Sequence, residues 1–266
     1  MLDLESYLRR IEWVGPLAPD LATLTGLIQA HLCAIPFENL DVLLGRRISL
    51  DLGDIQRKLI GGRRGGYCFE QATLFDAVLQ AIGFRTSCHL ARVVLAAPRH
   101  LSSRTHLFVL VDLPEGRFVA DPGFGGPAAR GPVLLADIGA SPATGTNHWF
   151  SFADGAWVLH GRDGATETEL WVTELATDYP IDADVSNHFV STHPASIFTT
   201  AIMMNRFTPD GRVSVMNRNV TLWRAGESQT WELADRRALR HLLAERFGID
   251  LPEVESLTAS GIPDWS

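Results

Sequence analysis

The apolar residues change their period once, near residue 85, and that single change limits the folds open to this chain. Before it, hydrophobic positions recur every three or four residues. Leu4, Leu8 and Ile11 form a short stripe ended by Gly15-Pro16, and a second runs from Leu21 through Leu24, Leu27, Ile28 and Leu32 to Ile35. A third begins at the cap residue Asp51 and carries Leu52, Ile55 and Leu59 up to Gly61-Gly62. A fourth holds Leu74, Phe75, Val78, Leu79 and Ile82, with Gly83 placed to end it. From about residue 86 the segments shorten and fill with Val and Leu. His89–Ala96, Thr105–Leu113, Phe118–Asp121, Trp149–Phe152, Ala156–His160 and Thr166–Val172 read as strands, with turn signals at 114–117, 154–155 and 163–164. Residues 173–200 look irregular and polar. Two strands about Pro209-Asp210-Gly211, a strand Val220–Arg224 and a last helix through Leu239, Leu242, Leu243 and Phe247 complete the chain. The expectation is an α+β protein. Short antiparallel strands in its middle suggest a small barrel or sandwich.

Composition narrows the function. With 266 residues, 46% of them hydrophobic, the chain can bury one large core or two to three small ones. No apolar run reaches the eighteen or so residues of a membrane span, and the acidic, amphipathic N-terminus is not a signal peptide. Cys33, Cys68 and Cys88 are few, odd in number and lack Cys-x-x-Cys spacing, which argues against a disulfide framework or a zinc site and for a cytoplasmic setting. The net charge of −8 disfavours nucleic acid and anionic membranes as partners, so an anionic ligand needs a local basic patch. Lys58 is the only lysine among the basic residues.

Arg63-Arg64-Gly65-Gly66-Tyr67-Cys68-Phe69-Glu70 immediately precedes the fourth helical stripe. Cys68 therefore stands at a helix N-terminus, where unpaired N–H groups and the helix dipole favour a thiolate. Gly65 and Gly66 let the backbone come close to a reacting carbonyl. A nucleophilic cysteine needs a base, and the base an orienting group. Of nine histidines, His106 alone begins an apolar strand that returns through a tight turn to a buried-looking aspartate, Asp121. The same pair also reads as an ordinary strand histidine and a turn aspartate. If the turn centres on Glu115-Gly116, Asp121 lies opposite Leu110. The two side chains are then four residues apart, roughly 13 Å at ~3.3 Å per residue. A bulge, a strong twist or a shifted register is required to join them.

Five segments resemble the arylamine N-acetyltransferase family: Pro36-Phe37-Glu38-Asn39-Leu40, Arg64 through Glu70, Thr105-His106, Ala120-Asp121-Pro122-Gly123-Phe124-Gly125, and Ser191-Thr192-His193-Pro194. The resemblance covers essentially the whole chain. It implies a Cys68–His106–Asp121 triad and three parts: a helical bundle over 1–85, an antiparallel β-barrel over 86–190, and a segment plus α/β lid over 191–266, on a cysteine-protease-like core. It implies acetyl-CoA as co-substrate, no metal, and an aromatic amine, hydrazine or N-hydroxyarylamine as acceptor, with a monomer or homodimer as the working unit. Phe37, Tyr67 and Phe124 are then the candidate substrate contacts, and Gly125 and Gly126 the candidate CoA contacts. Tyr67 stands where many members carry Trp. Arg64 and Glu38 look like a buried pair. An amide synthase of the same fold, a papain-like cysteine hydrolase and a non-enzymatic binding protein are the alternative readings.

Overall fold

A computed structural model describes residues 1–136, 147–262 and 265. Its helices are α1 (Leu4–Arg10), α2 (Leu21–Ala34), α3 (Leu40–Leu43), α4 (Leu52–Gln56), α5 (Cys68–Ile82), α6 (Pro180–Thr192) and α7 (Arg236–Leu242). The strands are β1 (Phe37–Glu38), β2 (Arg85–Val93), β3 (Arg104–Leu113), β4 (Gly116–Ala120), β5 (Val133–Leu134), β6 (His148–Ala153), β7 (Ala156–Asp163), β8 (Thr166–Thr173), β9 (Met203–Thr208), β10 (Gly211–Met216), β11 (Asn219–Arg224) and β12 (Glu227–Glu232).

Local chemistry sets the helix starts. Asp3, Asp20 and Asp51 each accept a backbone N–H of the following first turn, from Ser6, Thr23, and Gly53 with Asp54, so donors that lack an intrahelical partner are satisfied. Gly83 ends α5 in the left-handed region at φ 108°, where a side chain would be strained. Leu74, Phe75, Val78 and Leu79 of α5 are fully buried, packed in one core with Leu24, Leu27 and Ile28 of α2 and with Leu107, Val109 and Val111 of β3. At about 1.5–3 kcal/mol for each such side chain, this packing fixes α5 against the sheet far more firmly than helix propensity could.

The seven strands β5-β4-β3-β2-β8-β7-β6 form one antiparallel sheet whose outer strands β5 and β6 approach each other, giving a nearly closed barrel. A second antiparallel sheet runs β1-β9-β10-β11-β12, with a core of its own under α7. Its edge strand comes from the N-terminal region: Phe37 pairs with Asn205 and Glu38 with Met204. No helix among the described residues is long and apolar enough to cross a membrane.

Two expectations are corrected. Residues 173–200 contain the helix α6. Ala183, Asn187 and Val190 face inward at helical spacing, whereas Ile181 and Val185 are exposed, so the apolar pattern runs on the wrong face for recognition from sequence. Pro180 at its first position and Asp182, which accepts the Tyr179 N–H, set its start. The register of the β3–β4 hairpin also differs. Leu113 pairs with Gly116 and Val109 with Ala120, so the turn centres on Pro114-Glu115, one peptide earlier than expected. Carried one residue further, that register sets Asp121 opposite Phe108. It stands two residues from His106 instead of four, which halves the gap to roughly 7 Å.

Candidate active site

Cys68 is the first residue of α5, buried at 3% exposure, and its sulfur lies 3.8 Å from the Thr105 carbonyl. Helix geometry leaves the N–H groups of this first turn without intrahelical acceptors, free to act as anion-stabilising donors. Thr105 is the extra residue of a β-bulge. Ala91 pairs with His106 and Arg92 with Arg104, which leaves Thr105 unpaired and bends β3 at the point where it meets Cys68.

His106, 2% exposed, joins its Nε2 to Asp121 Oδ2 at 2.7 Å, which leaves Nδ1 for the Cys68 sulfur. Burial opposes protonation of this imidazole. The Asp121 carboxylate, followed by Cys68, outweighs it and raises the His106 pKa to about 10. Phe124 and Trp171 flank the ring at centroid distances of 4.9 and 6.0 Å and exclude water from it. Asp121 Oδ1 is buried with no hydrogen-bond partner among the described residues, so the one bond this carboxylate makes is to His106.

The loop after Asp121 lies directly on the helix start. A Cβ on Gly123 would sit 3.0 Å from the Cα of Cys68, so any side chain there would push the loop and the helix start apart. Gly125, at φ 82°, packs on the Phe37 ring, which a Cβ there would meet at 3.3 Å. Phe37 thus packs on the loop at Gly125, and Phe124, a loop residue, packs on His106. Tyr67 does not line an open slot: it is fully buried, its ring is edged by Phe69 and Phe198, and its hydroxyl donates to Asn187 of α6. It is a wall behind Cys68. The segment Ser191–Pro194 lies at the end of α6, with His193 as its cap residue.

The expected Arg64–Glu38 pair is one edge of a larger buried network. Arg64 Nη2 lies 2.7 Å from Glu38 and 3.2 Å from Asp41, and Lys58 bridges Asp41 at 2.9 Å to Glu70 at 2.7 Å. Burial opposes the Asp41 charge, yet Lys58 and Arg64 outweigh it and hold its carboxyl down at about 2. Burial likewise disfavours the Lys58 ammonium, and Glu70 and its fellow carboxylates more than offset that and raise its pKa. Glu70 Oε2 in turn accepts the Tyr67 N–H at 3.2 Å, so the single lysine of the chain is tied to the turn that presents Cys68. Sequence reasoning missed Lys58, Asp41 and Glu70, although a lone lysine in an arginine-rich chain was a signal. Lys58→Met should leave the buried Glu70 carboxylate without its ion-pair partner, while Asp41 keeps Arg64 and Arg46, at a cost of about 3–5 kcal/mol. We expect a melting temperature lower by roughly 10 °C in a thermal scan.

A second buried chain was also missed. The Tyr7 hydroxyl donates to His31 Nδ1, His31 Nε2–H donates to Gln71 Oε1, and Gln71 Nε2 donates to the carbonyls of Gly66 and Pro36. Gln71 spends both its donors on carbonyls, so its oxygen must accept, and His31 is fixed as the neutral tautomer. Burial agrees, pulling the His31 pKa down to about 3.

All three cysteines are free thiols, and burial pushes the Cys33 and Cys88 pKa values up. Cys68, by contrast, acts on the His106 imidazole as a neighbour. Iodoacetamide at neutral pH should label Cys68 first. Peptide mapping that finds Cys33 or Cys88 labelled as fast in the native protein would remove its special reactivity. Among the described residues, no group of three or more His, Cys, Asp and Glu is arranged to hold a metal.

A helix-borne thiol facing a barrel-borne imidazole and carboxylate has the parts required for thiol-based acyl chemistry. Comparison with known proteins narrows that class. Residues 20–256 match the N-acetyltransferase family. The arylamine N-acetyltransferase of Escherichia coli K12 is 35% identical over 95% of this chain and 90% of its own, and that of Mycobacterium tuberculosis H37Rv is 36% identical over 95% and 91%. The solved structure of Mycobacterium marinum arylamine N-acetyltransferase in complex with CoA superposes with a TM-score of 0.88 at 33% identity, covering 95% of this chain and 94% of that one. The chain belongs to the arylamine N-acetyltransferase family.

Proposed function

We propose that this protein transfers the acetyl group of acetyl-CoA to aromatic amines, hydrazines or N-hydroxyarylamines through a thioester on Cys68. The observation that carries the reading is the buried 2.7 Å His106–Asp121 bond beside a cysteine at a helix start. In the first half-reaction the Cys68 thiolate adds to the thioester carbonyl. The developing oxyanion is met by N–H groups of the first turn of α5. The carbon–sulfur bond to CoA breaks, and the His106 imidazolium gives its proton to the departing thiolate. In the second, the amine nitrogen adds to the acetyl-cysteine carbonyl and His106 takes the amine proton. The bond to Cys68 Sγ breaks, and the thiolate returns. Asp121 holds Nε2–H throughout and stabilises the imidazolium. Phe37 and Phe124 offer apolar ring faces to the aryl group, and Gly125 and Gly126, which add no side chains there, are the backbone assigned to the thioester arm.

One nucleophile serving two substrates makes the order of events testable. Acetyl-CoA alone should release CoA in a burst close to the enzyme concentration, followed by slow hydrolysis. Double-reciprocal plots for acetyl-CoA and an anisidine should be parallel. Intact mass should show one acetyl group, mapped to the peptide carrying Cys68. Intersecting lines without a burst would overturn the acetyl-enzyme. A hydrolase would show no acceleration by amine, and a carrier-dependent amide synthase little or no burst.

A further inference from the structure

The buried chain from Tyr7 through His31 to Gln71 takes no part in the proposed chemistry, yet it ends on the turn that presents Cys68. Gln71 is fully buried, one turn into α5. Its backbone N–H donates to the Tyr67 carbonyl at 3.1 Å. Its side-chain Nε2 donates to the Gly66 carbonyl at 2.7 Å and to the Pro36 carbonyl at 3.2 Å. One residue thus holds the peptides on both sides of Tyr67, and the second of these carries the Cys68 N–H. The first is held from its other end as well, because the Tyr67 N–H donates to Glu70 Oε2. Gln71 also meets the loop that follows Asp121: a Cβ on Gly123 would lie 3.4 Å from Gln71 Cβ and 3.0 Å from Cys68 Cα.

An amide with a purely structural task would be there to give buried carbonyls a partner. These carbonyls already have one. The Gly66 carbonyl accepts the Glu38 N–H at 3.0 Å, and the Pro36 carbonyl accepts the Gly66 N–H at 3.2 Å. The Gln71 amide occupies the second lone pair of each oxygen, so what it adds is direction. Its own orientation is fixed from behind. His31 Nε2–H donates to Oε1 at 3.2 Å, and the Tyr7 hydroxyl holds the imidazole through Nδ1 at 2.9 Å, so the NH2 end faces the turn. We infer that Gln71 is a positioning residue for Cys68: its amide sets the peptides before the nucleophile, and with them the approach of the thiol to His106 and to the acyl carbonyl. This role in catalysis rests on the proposed acetyl transfer.

The test compares Gln71→Met and Gln71→Glu with Tyr7→Phe. Methionine keeps the length of the side chain and has no donor. Glutamate keeps the acceptor that meets His31 and turns an oxygen on the two carbonyls. Tyr7→Phe removes a buried hydrogen bond at the far end of the same chain and leaves the amide in place. Each protein is assayed below its own melting temperature for the rate of the CoA burst and the acetyl-CoA concentration that half-saturates it. Both Gln71 variants should burst roughly 10–100-fold more slowly, the scale of a misplacement near 1 Å, with the half-saturating concentration within about twofold. Alkylation of Cys68 by iodoacetamide, followed between about pH 6 and pH 9, should slow and move to higher pH as the thiol loses its imidazole. Tyr7→Phe should melt at a lower temperature and keep the wild-type burst rate and alkylation profile. Equal losses in Tyr7→Phe and the Gln71 variants overturn the inference, because activity would then follow stability alone. A loss confined to half-saturation, or an unchanged burst rate, overturns it too. So does failure of both Gln71 variants to fold, which would make the residue a requirement of the core. Slowed alkylation in the Gln71 variants, with no acetyl-cysteine formed by the wild-type protein, would refute the proposed reaction and leave the positioning of the thiol standing.

Discussion

Cys68→Ser is expected to lower acetyl transfer by three or more orders of magnitude while the fold survives. The substitution exchanges one atom of similar size at a 3%-exposed position, so the packing of Phe69, Leu74 and Phe75 behind it is unchanged. The chemistry changes much more. A hydroxyl stays protonated near neutral pH and is a far poorer nucleophile toward a thioester than sulfur is. The CoA burst should vanish with the steady-state rate. Substantial turnover by purified Cys68→Ser with wild-type melting would mean that the amine attacks acetyl-CoA directly and that Cys68 carries nothing.

Asp121→Asn should cost roughly four orders of magnitude in kcat, the scale of the carboxylate-to-amide change in a Ser-His-Asp triad, and should also destabilise the fold. The amide oxygen can still accept from His106 Nε2, but its NH2 then occupies the place of Asp121 Oδ1, which is buried with no partner. An unsatisfied buried donor costs about 1–3 kcal/mol. The charge that raises the His106 pKa to about 10 is lost as well. A histidine whose pKa is raised on folding stabilises the folded state fully below its unfolded value of about 6.5. That stabilisation is lost as pH rises through the folded value. The melting difference between wild type and Asp121→Asn should therefore be widest near pH 6 and narrow toward pH 10. A variant with near wild-type rate and melting temperature across this range would remove Asp121 from the site.

Much of the architecture was legible in the chain. Helix starts announced themselves through Asp20 and Asp51, the end of α5 through Gly83, and the strands of the barrel through Val-rich runs between turn signals. Each of these is a local preference that acts within a few residues. The face of α6 was not legible, because inward positions Ala183 and Asn187 are small or polar while Ile181 and Val185 point outward. Its partner, the hydroxyl of Tyr67, is 120 residues away in sequence. The edge strand β1 was missed for the same reason, since two residues carry no period and their pairing partners are Asn205 and Met204.

For the site, the sequence by itself determined which residue types were available and where the helix carrying Cys68 begins. It marked His106 and Asp121 as belonging to one hairpin and Arg64 and Glu38 as needing partners. What only the tertiary structure decided was distance. The turn centred one peptide earlier than the dipeptide signal suggested, and a bulge at Thr105 re-aimed β3. Together with the glycine that lets the Asp121 loop lie on Cys68, these set the triad-like geometry. Lys58, Asp41 and Glu70 met for a similar reason: buried charges find partners by packing and not by spacing. Register, bulge and burial are settled by long-range contacts summed over the whole core, and no window of sequence contains that sum.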